Sequence, residues 1–143
     1  MNKTKCPICG EMSLISKSEL EETQYGNSVK SLALHFSECE ACGSELATAE
    51  QAKENKRLMQ AFKKEVDGLL AGSEIKAFRK RHALTQAQSA KIFGGGKIAF
   101  SKYEANDVSQ SEAMDKLIRV ADKFPAVLSW LKSSSGLEFT NKK

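Results

Sequence analysis

Four cysteines, all within the first 42 residues of a 143-residue chain, are the side chains best suited to chemistry. They fall in two copies of C-x-x-C-G: Cys6-Pro7-Ile8-Cys9-Gly10 and Cys39-Glu40-Ala41-Cys42-Gly43. This spacing aims two sulfurs at one ion while the following backbone amides donate to the thiolates, and the glycine permits the tight turn. Four thiolates suit one tetrahedral Zn²⁺ per chain and leave no position open for water or substrate, so the role expected of the metal is structural. Paired disulfides or a redox dithiol are the competing readings. A matched second pair argues against the dithiol, and the lack of an amino-terminal signal pattern argues for reduced thiols in a cytoplasmic protein. His35 could substitute as a ligand, but with four cysteines at hand it reads as an outward-facing strand residue.

A second stretch, Leu84 to Glu104 (LTQAQSAKIFGGGKIAFSKYE), carries a different kind of chemistry. Thr85 with Gln88 forms a capping box, and Ala87, Ala90, Ile92 and Phe93 give the following helix a small apolar face. Gly94-Gly95-Gly96 should stop it, since a residue leaving a helix commonly adopts a left-handed conformation that glycine reaches cheaply. A second helix, Lys97 to about Ala105, then places Ala99, Phe100 and Tyr103 inward and Lys97, Ile98, Ser101 and Lys102 on another side. One face docks on a core while short and cationic side chains are free for a major groove. By periodicity alone, a glycine-joined helix pair within any helical domain fits equally well.

The elements that must position these residues can be read outward from them. The 29 residues between Cys9 and Cys39 fit a β-hairpin, with Met12, Leu14 and Ile15 in one strand. Val29 to Phe36 form the other, with Leu32, Leu34 and Phe36 on one face, and Tyr25-Gly26-Asn27-Ser28 the turn. So small a module needs metal for much of its folding free energy, on the order of 10 kcal/mol in comparable zinc peptides. Thr48-Ala49-Glu50-Gln51 opens a helix to about Leu70, expected to be solvated over its first three turns and packed only at its far end. Ser73 is expected to cap the next helix, Glu74–His82, whose Arg79, Lys80 and Arg81 are candidate phosphate contacts or a plain solubilising run. Helix Ser111–Lys123 and a last helix, Ala126–Lys132 with Pro125 in its first turn, complete the back half. Trp130 and Leu131 there exceed what a core of this size needs and suggest a homodimer contact.

The fold class expected is therefore α+β in two domains. A zinc-binding β-hairpin domain occupies residues 1–47, a connecting helix and linker 48–72, a five-helix helix-turn-helix domain 73–132, and a flexible tail 133–143. No apolar run is long enough to span a membrane. The net charge of +4 hides a split. Residues 1–50 hold four basic against eight acidic side chains, a net of −4, whereas residues 73–143 hold thirteen against seven, a net of +6. Phosphate contact calls for the basic half, and the acidic half needs a different partner or none. A zinc or redox enzyme is disfavoured, because the thiolate site is closed and no carboxylate–histidine grouping suggests acid–base work.

The pattern L-T-Q-x6-F-G-G-G-x3-F-S-x-Y-E resembles the helix-turn-helix of the lambda-repressor-like (XRE) class. Joined to C-P-x-C-G…C-x-x-C-G and a helical connector, it is similar to the MqsA (YgiT-type) antitoxin family over roughly Lys5 to Leu131. The resemblance implies a two-domain homodimer. Its zinc domain, with ligands Cys6, Cys9, Cys39 and Cys42, would neutralise a toxin, typically an mRNA-cleaving ribonuclease, and its second domain would repress the operon by binding palindromic DNA. It implies a DNA-contacting set of Gln86, Lys97, Ile98, Ser101, Lys102 and Tyr103. Family members place asparagine and arginine as base readers where this chain has Ile98 and Lys102. Isoleucine offers only apolar contact, for example to a thymine methyl, and lysine a point donor without the planar fork. The alternative to an antitoxin is a stand-alone regulator whose zinc domain is purely structural.

Overall fold

A computed structural model describes residues 2–137, which divide into two units at Val66/Asp67. In unit one, β1 (Leu14–Tyr25) and β2 (Ser28–Cys39) form a hairpin in continuous antiparallel register, from Leu14↔Cys39 to Tyr25↔Ser28. A two-residue strand, β3 (Glu45–Leu46), adds to the far edge of β2, and helix α1 (Ala49–Asp67) follows. The register matters for the cysteines: it sets Cys39 opposite Leu14, while a bridge from Thr4 to Leu14 brings the first knuckle to the same end of the hairpin. Cys6, Leu14 and Cys39 form a small buried cluster against which Leu46 packs. Met12, expected in the first strand, precedes it and lies exposed; the strand starts where the Thr4 bridge gives it a partner.

The packing of α1 corrects the expectation of a solvated first half. Gln51 is buried in the first turns, and its amide ties three strand groups together. Gln51 Nε2 donates to the Phe36 carbonyl (2.8 Å) and to Ser16 Oγ (3.1 Å), while Oε1 accepts from Ser37 Oγ (3.0 Å). One turn on, Asn55 Oδ1 accepts from the His35 amide (2.7 Å) and Nδ2 donates to the His35 carbonyl (2.8 Å). Asn55 thus stands in for the next strand at the edge of β2, beyond the reach of the short β3. Polar residues that looked solvent-facing are the docking residues, because what they dock against is backbone rather than apolar surface. Further along, Phe62 is buried and meets Tyr25 edge-on at 6.5 Å.

Unit two contains five helices: α2 (Gly72–Arg81), α3 (Gln86–Phe93), α4 (Ala99–Glu104), α5 (Glu112–Lys123) and α6 (Pro125–Ser134). Its interior is built from Ile75, Phe78, Leu84, Ile92, Phe93, Phe100, Ile118 and Leu128. Phe78, Phe93 and Phe100 run in sequence at centroid separations of 5.7 and 5.8 Å, and Tyr103 meets Phe100 at 5.6 Å, the tilted and edge-on geometries that ring quadrupoles favour. Helix α2 begins one residue before Ser73, with Ala71 at the N-cap, so Ser73 is not the cap; Asn106 Oδ1 accepts the Gly72 amide (3.1 Å) and the Glu74 carboxylate accepts the Ala71 amide (3.1 Å). α6 includes Ser133 and Ser134, which the sequence assigned to the tail; the rest of that expected tail beyond Leu137 lies outside the described residues.

Candidate metal centre and nucleic-acid interface

The two cysteine knuckles are the same turn built twice. In each, the first cysteine's amide donates five residues ahead (Cys6 to Glu11, 2.8 Å; Cys39 to Ser44, 3.0 Å). In each, the glycine amide donates back to that cysteine's carbonyl (Gly10 to Cys6, 2.9 Å; Gly43 to Cys39, 2.8 Å). Both glycines have positive φ, 82° and 73°, so the repeated C-x-x-C-G spacing is a backbone requirement as well as a ligand one. The amides of Ile8 and Cys42 point at the sulfurs of Cys6 (3.4 Å) and Cys39 (3.5 Å).

The hairpin closes the two knuckles face to face. All four Sγ atoms lie within 4.8 Å of one another, with Cys6–Cys42 at 3.8 Å and Cys9–Cys39 at 3.6 Å. A disulfide needs about 2.05 Å, far shorter than either, whereas four sulfurs about 2.3 Å from a central tetrahedral ion stand about 3.8 Å apart. The donor set therefore fits a tetrathiolate ion. Cys42 is pushed down to about 6, first by hydrogen bonding from Ser44, while Cys9 is pushed up to about 12, the Glu11 amide being outweighed by desolvation and by the other three sulfurs. Thiols this close cannot all ionise without a cation among them. His35 is not in the cluster; its backbone is held by Asn55 and its Nε2 lies 3.5 Å from Glu54.

In unit two the capping box at Thr85 forms in both directions, with Gln88 N–H to Thr85 Oγ1 at 3.0 Å and Thr85 N–H to Gln88 Oε1 at 2.9 Å. Gly94, Gly95 and Gly96 all take positive φ, 87°, 97° and 97°, so the whole triplet, not one residue of it, makes the turn. α4 starts at Ala99, two residues later than expected, with Ile98 at its N-cap; it sinks Ala99 and Phe100 into the core, and Lys97, Ile98 and Lys102 are exposed. Ser101 is half-buried and its hydroxyl donates to the Ile98 carbonyl (2.9 Å). Gln86 is half-buried in the first turn of α3. Tyr103 is half-buried against the core, which makes it a packing residue before anything else.

The basic run at the end of α2 divides. Arg79 is not available for phosphate: its guanidinium forks onto Glu104 (2.9 and 2.8 Å) and its remaining arm reaches the Leu84 carbonyl (3.0 Å). Both side chains are largely buried, and the Glu104 carboxylate holds the Arg79 pKa above its ordinary value. This pair clamps the start of the helix-turn-helix to its end, a role that a charge run in sequence does not disclose. Lys80 is exposed, and Arg81 is exposed but shares Asp122 with His82, each at 2.9 Å. Trp130, 66% exposed, and half-buried Leu131 lie on α6, near exposed Phe124 and Val120 in sequence.

Sequence reasoning also missed a buried polar knot. Asp115 accepts from the Leu70 amide (2.8 Å), Gln110 Nε2 (3.0 Å) and Arg119 Nε (2.8 Å), and Arg119 donates onward to the Gly68 carbonyl (2.9 Å). Desolvation works to raise the Asp115 pKa, but these donors outweigh it and hold the carboxyl below its usual range. The knot fixes the chain where unit two begins. An aspartate on a helix four residues after a serine cap gave no hint of it.

Among the described residues no helix is long and apolar enough to cross a membrane. A family model for the antitoxin component of bacterial toxin-antitoxin systems, MqsA, matches residues 4–132. Antitoxin MqsA of Escherichia coli (strain K12) is 30% identical over 130 residues, covering 90% of this chain and 99% of that protein. The match runs through both cysteine knuckles and through the glycine-jointed helix pair, so on the whole of its architecture the chain belongs to the MqsA antitoxin family, a family of regulators rather than enzymes.

Proposed function

We propose that this chain is the antitoxin and autoregulator of a toxin–antitoxin operon, with the labour divided between its two units. Cys6, Cys9, Cys39 and Cys42 would hold one Zn²⁺ as a structural cross-link at the base of the hairpin; such an ion supplies folding free energy and no reaction. The acidic hairpin stretch of the first unit, residues 1–50, would bind and neutralise a basic toxin, an mRNA-cleaving ribonuclease. The second unit would bind palindromic operator DNA as a homodimer in the cytoplasm, with Trp130 and Leu131 at the dimer contact. Lys97 and Lys102 face the groove, and Lys80, Arg81 and Gln86 contact phosphate. Arg79 and Tyr103 support this surface from behind.

The observation that carries this reading is an uneven charge: unit two, residues 67–143, holds thirteen basic against eight acidic side chains (+5), whereas in unit one the hairpin stretch 1–50 nets −4 and the basic side chains of α1 bring residues 1–66 to −1. An acidic hairpin in one unit and a basic second unit suit a cationic protein and a polyanion bound at once. The test is co-expression with the product of the adjoining small reading frame. The expected result is a stable complex, loss of that product's ribonuclease activity, and binding of the complex to the operon's own upstream duplex. DNA binding with no complex would leave a stand-alone regulator instead.

A further inference from the structure

Resting on the reading of unit two as a DNA binder, we infer that Ile98 recognises the 5-methyl group of a thymine in the major groove. Base discrimination at that pair then comes from an apolar fit and not from a hydrogen bond. Ile98 is 58% exposed, although its neighbours Ala99 and Phe100 are buried at 5% and 0%. Its backbone is held: the Ile98 carbonyl accepts both the Lys102 amide (3.2 Å) and the Ser101 hydroxyl (2.9 Å). A branched side chain on a fixed backbone has few rotamers to lose, so it is presented already ordered.

What surrounds it narrows the ligand. Ser101 is half-buried and donates its hydroxyl proton to the Ile98 carbonyl (2.9 Å), so in this arrangement its lone pairs are what it turns outward. The remaining groups of this face are two ammonium donors, Lys97 and Lys102, and the isoleucine. Lysine can meet phosphate or the guanine acceptors as a point charge. Against isoleucine, the exocyclic amines of adenine and cytosine or the guanine acceptors would be stripped of water with nothing in return. The thymine methyl is the one major-groove feature that gains from that contact.

The experiment selects duplexes from a randomised library with the full-length protein. Affinity is then measured for the recovered duplex and for copies in which each thymine in turn is replaced by uracil, which removes only the methyl. The expected result is one thymine per half-site whose methyl is worth about fourfold in affinity, or about fifteenfold when both half-sites are changed. Ile98→Ala should bind thymine and uracil duplexes alike, and Ile98→Val should restore most of the discrimination. Raising the salt should weaken every affinity through the lysines while leaving the thymine-to-uracil ratio unchanged. A recovered duplex bound tightly, with no thymine position at which wild type and Ile98→Ala differ in their response to uracil, would overturn the inference and leave the DNA-binding reading standing. A library that yields no preferred sequence would overturn both.

Discussion

Unit one and unit two stabilise their interiors in opposite ways. The first has a small buried cluster of Cys6, Leu14 and Cys39, with Ile15, Leu32 and Phe62 buried outside it, and it relies on four sulfurs at one end and on amide side chains zipped to strand backbone along its edge. The second has ten buried hydrophobic residues in one cluster, with a file of aromatic rings through the helix-turn-helix. The difference teaches what each surface is free to do. A unit held by its cysteine cluster and a polar seam can leave most of β1 exposed to a partner. A unit held by packed rings can fix a six-residue helix and the two residues before it so that Lys97, Ile98 and Lys102 stay exposed.

The largest expected effect comes from removing the metal cross-link. Cys39→Ser, or chelation, should cost unit one on the order of 10 kcal/mol and unfold it, while the melting of unit two stays where it was. Two-transition thermal unfolding followed by circular dichroism checks this; a shift of both transitions together would break the contrast. The reciprocal change is Phe100→Ala, which should cost unit two about 3–5 kcal/mol and abolish DNA binding while leaving metal content at one ion per chain. Elemental analysis with denaturant unfolding reads both.

Smaller effects sharpen the comparison. Asp115 has its pKa lowered in the folded state, so its contribution is fully present above the unfolded value, near pH 4, and is lost as pH falls through the folded value. Unit two should therefore weaken on acidification below about pH 4. Asp115→Asn should cost about 2–3 kcal/mol at neutral pH and flatten that slope. Chemical denaturation across pH measures it. Smallest, Gln51→Ala or Asn55→Ala should each cost unit one about 1–2 kcal/mol, and Asn55→Ala should speed hydrogen exchange at the His35 amide far more than at any amide of unit two.

Much of this architecture was legible because it rests on residues with few alternatives. C-x-x-C-G repeated twice permits one kind of turn, a glycine triplet after Phe93 permits a helix stop, and Thr85 with Gln88 permits a cap. The illegible parts share a physical cause: polar side chains whose partners are distant in sequence. Gln51 and Asn55 read as solvent-facing by period, yet they bond to strand backbone 15 and 20 residues away. Arg79 reads as part of a basic run, yet it is spoken for by Glu104, 25 residues on. No local pattern distinguishes a charge that meets phosphate from one that meets a carboxylate inside the fold.

The central claim is that one unit serves DNA and the other does not. A ¹H–¹⁵N correlation spectrum of the full chain, titrated with the palindromic duplex from its own upstream region, tests it directly. We expect shifts concentrated at Gln86 and at Lys97 to Lys102, with residues 2–46 unmoved. Shifts centred on the hairpin and its cysteine knuckles, with the helix after the glycine triplet silent, would contradict it.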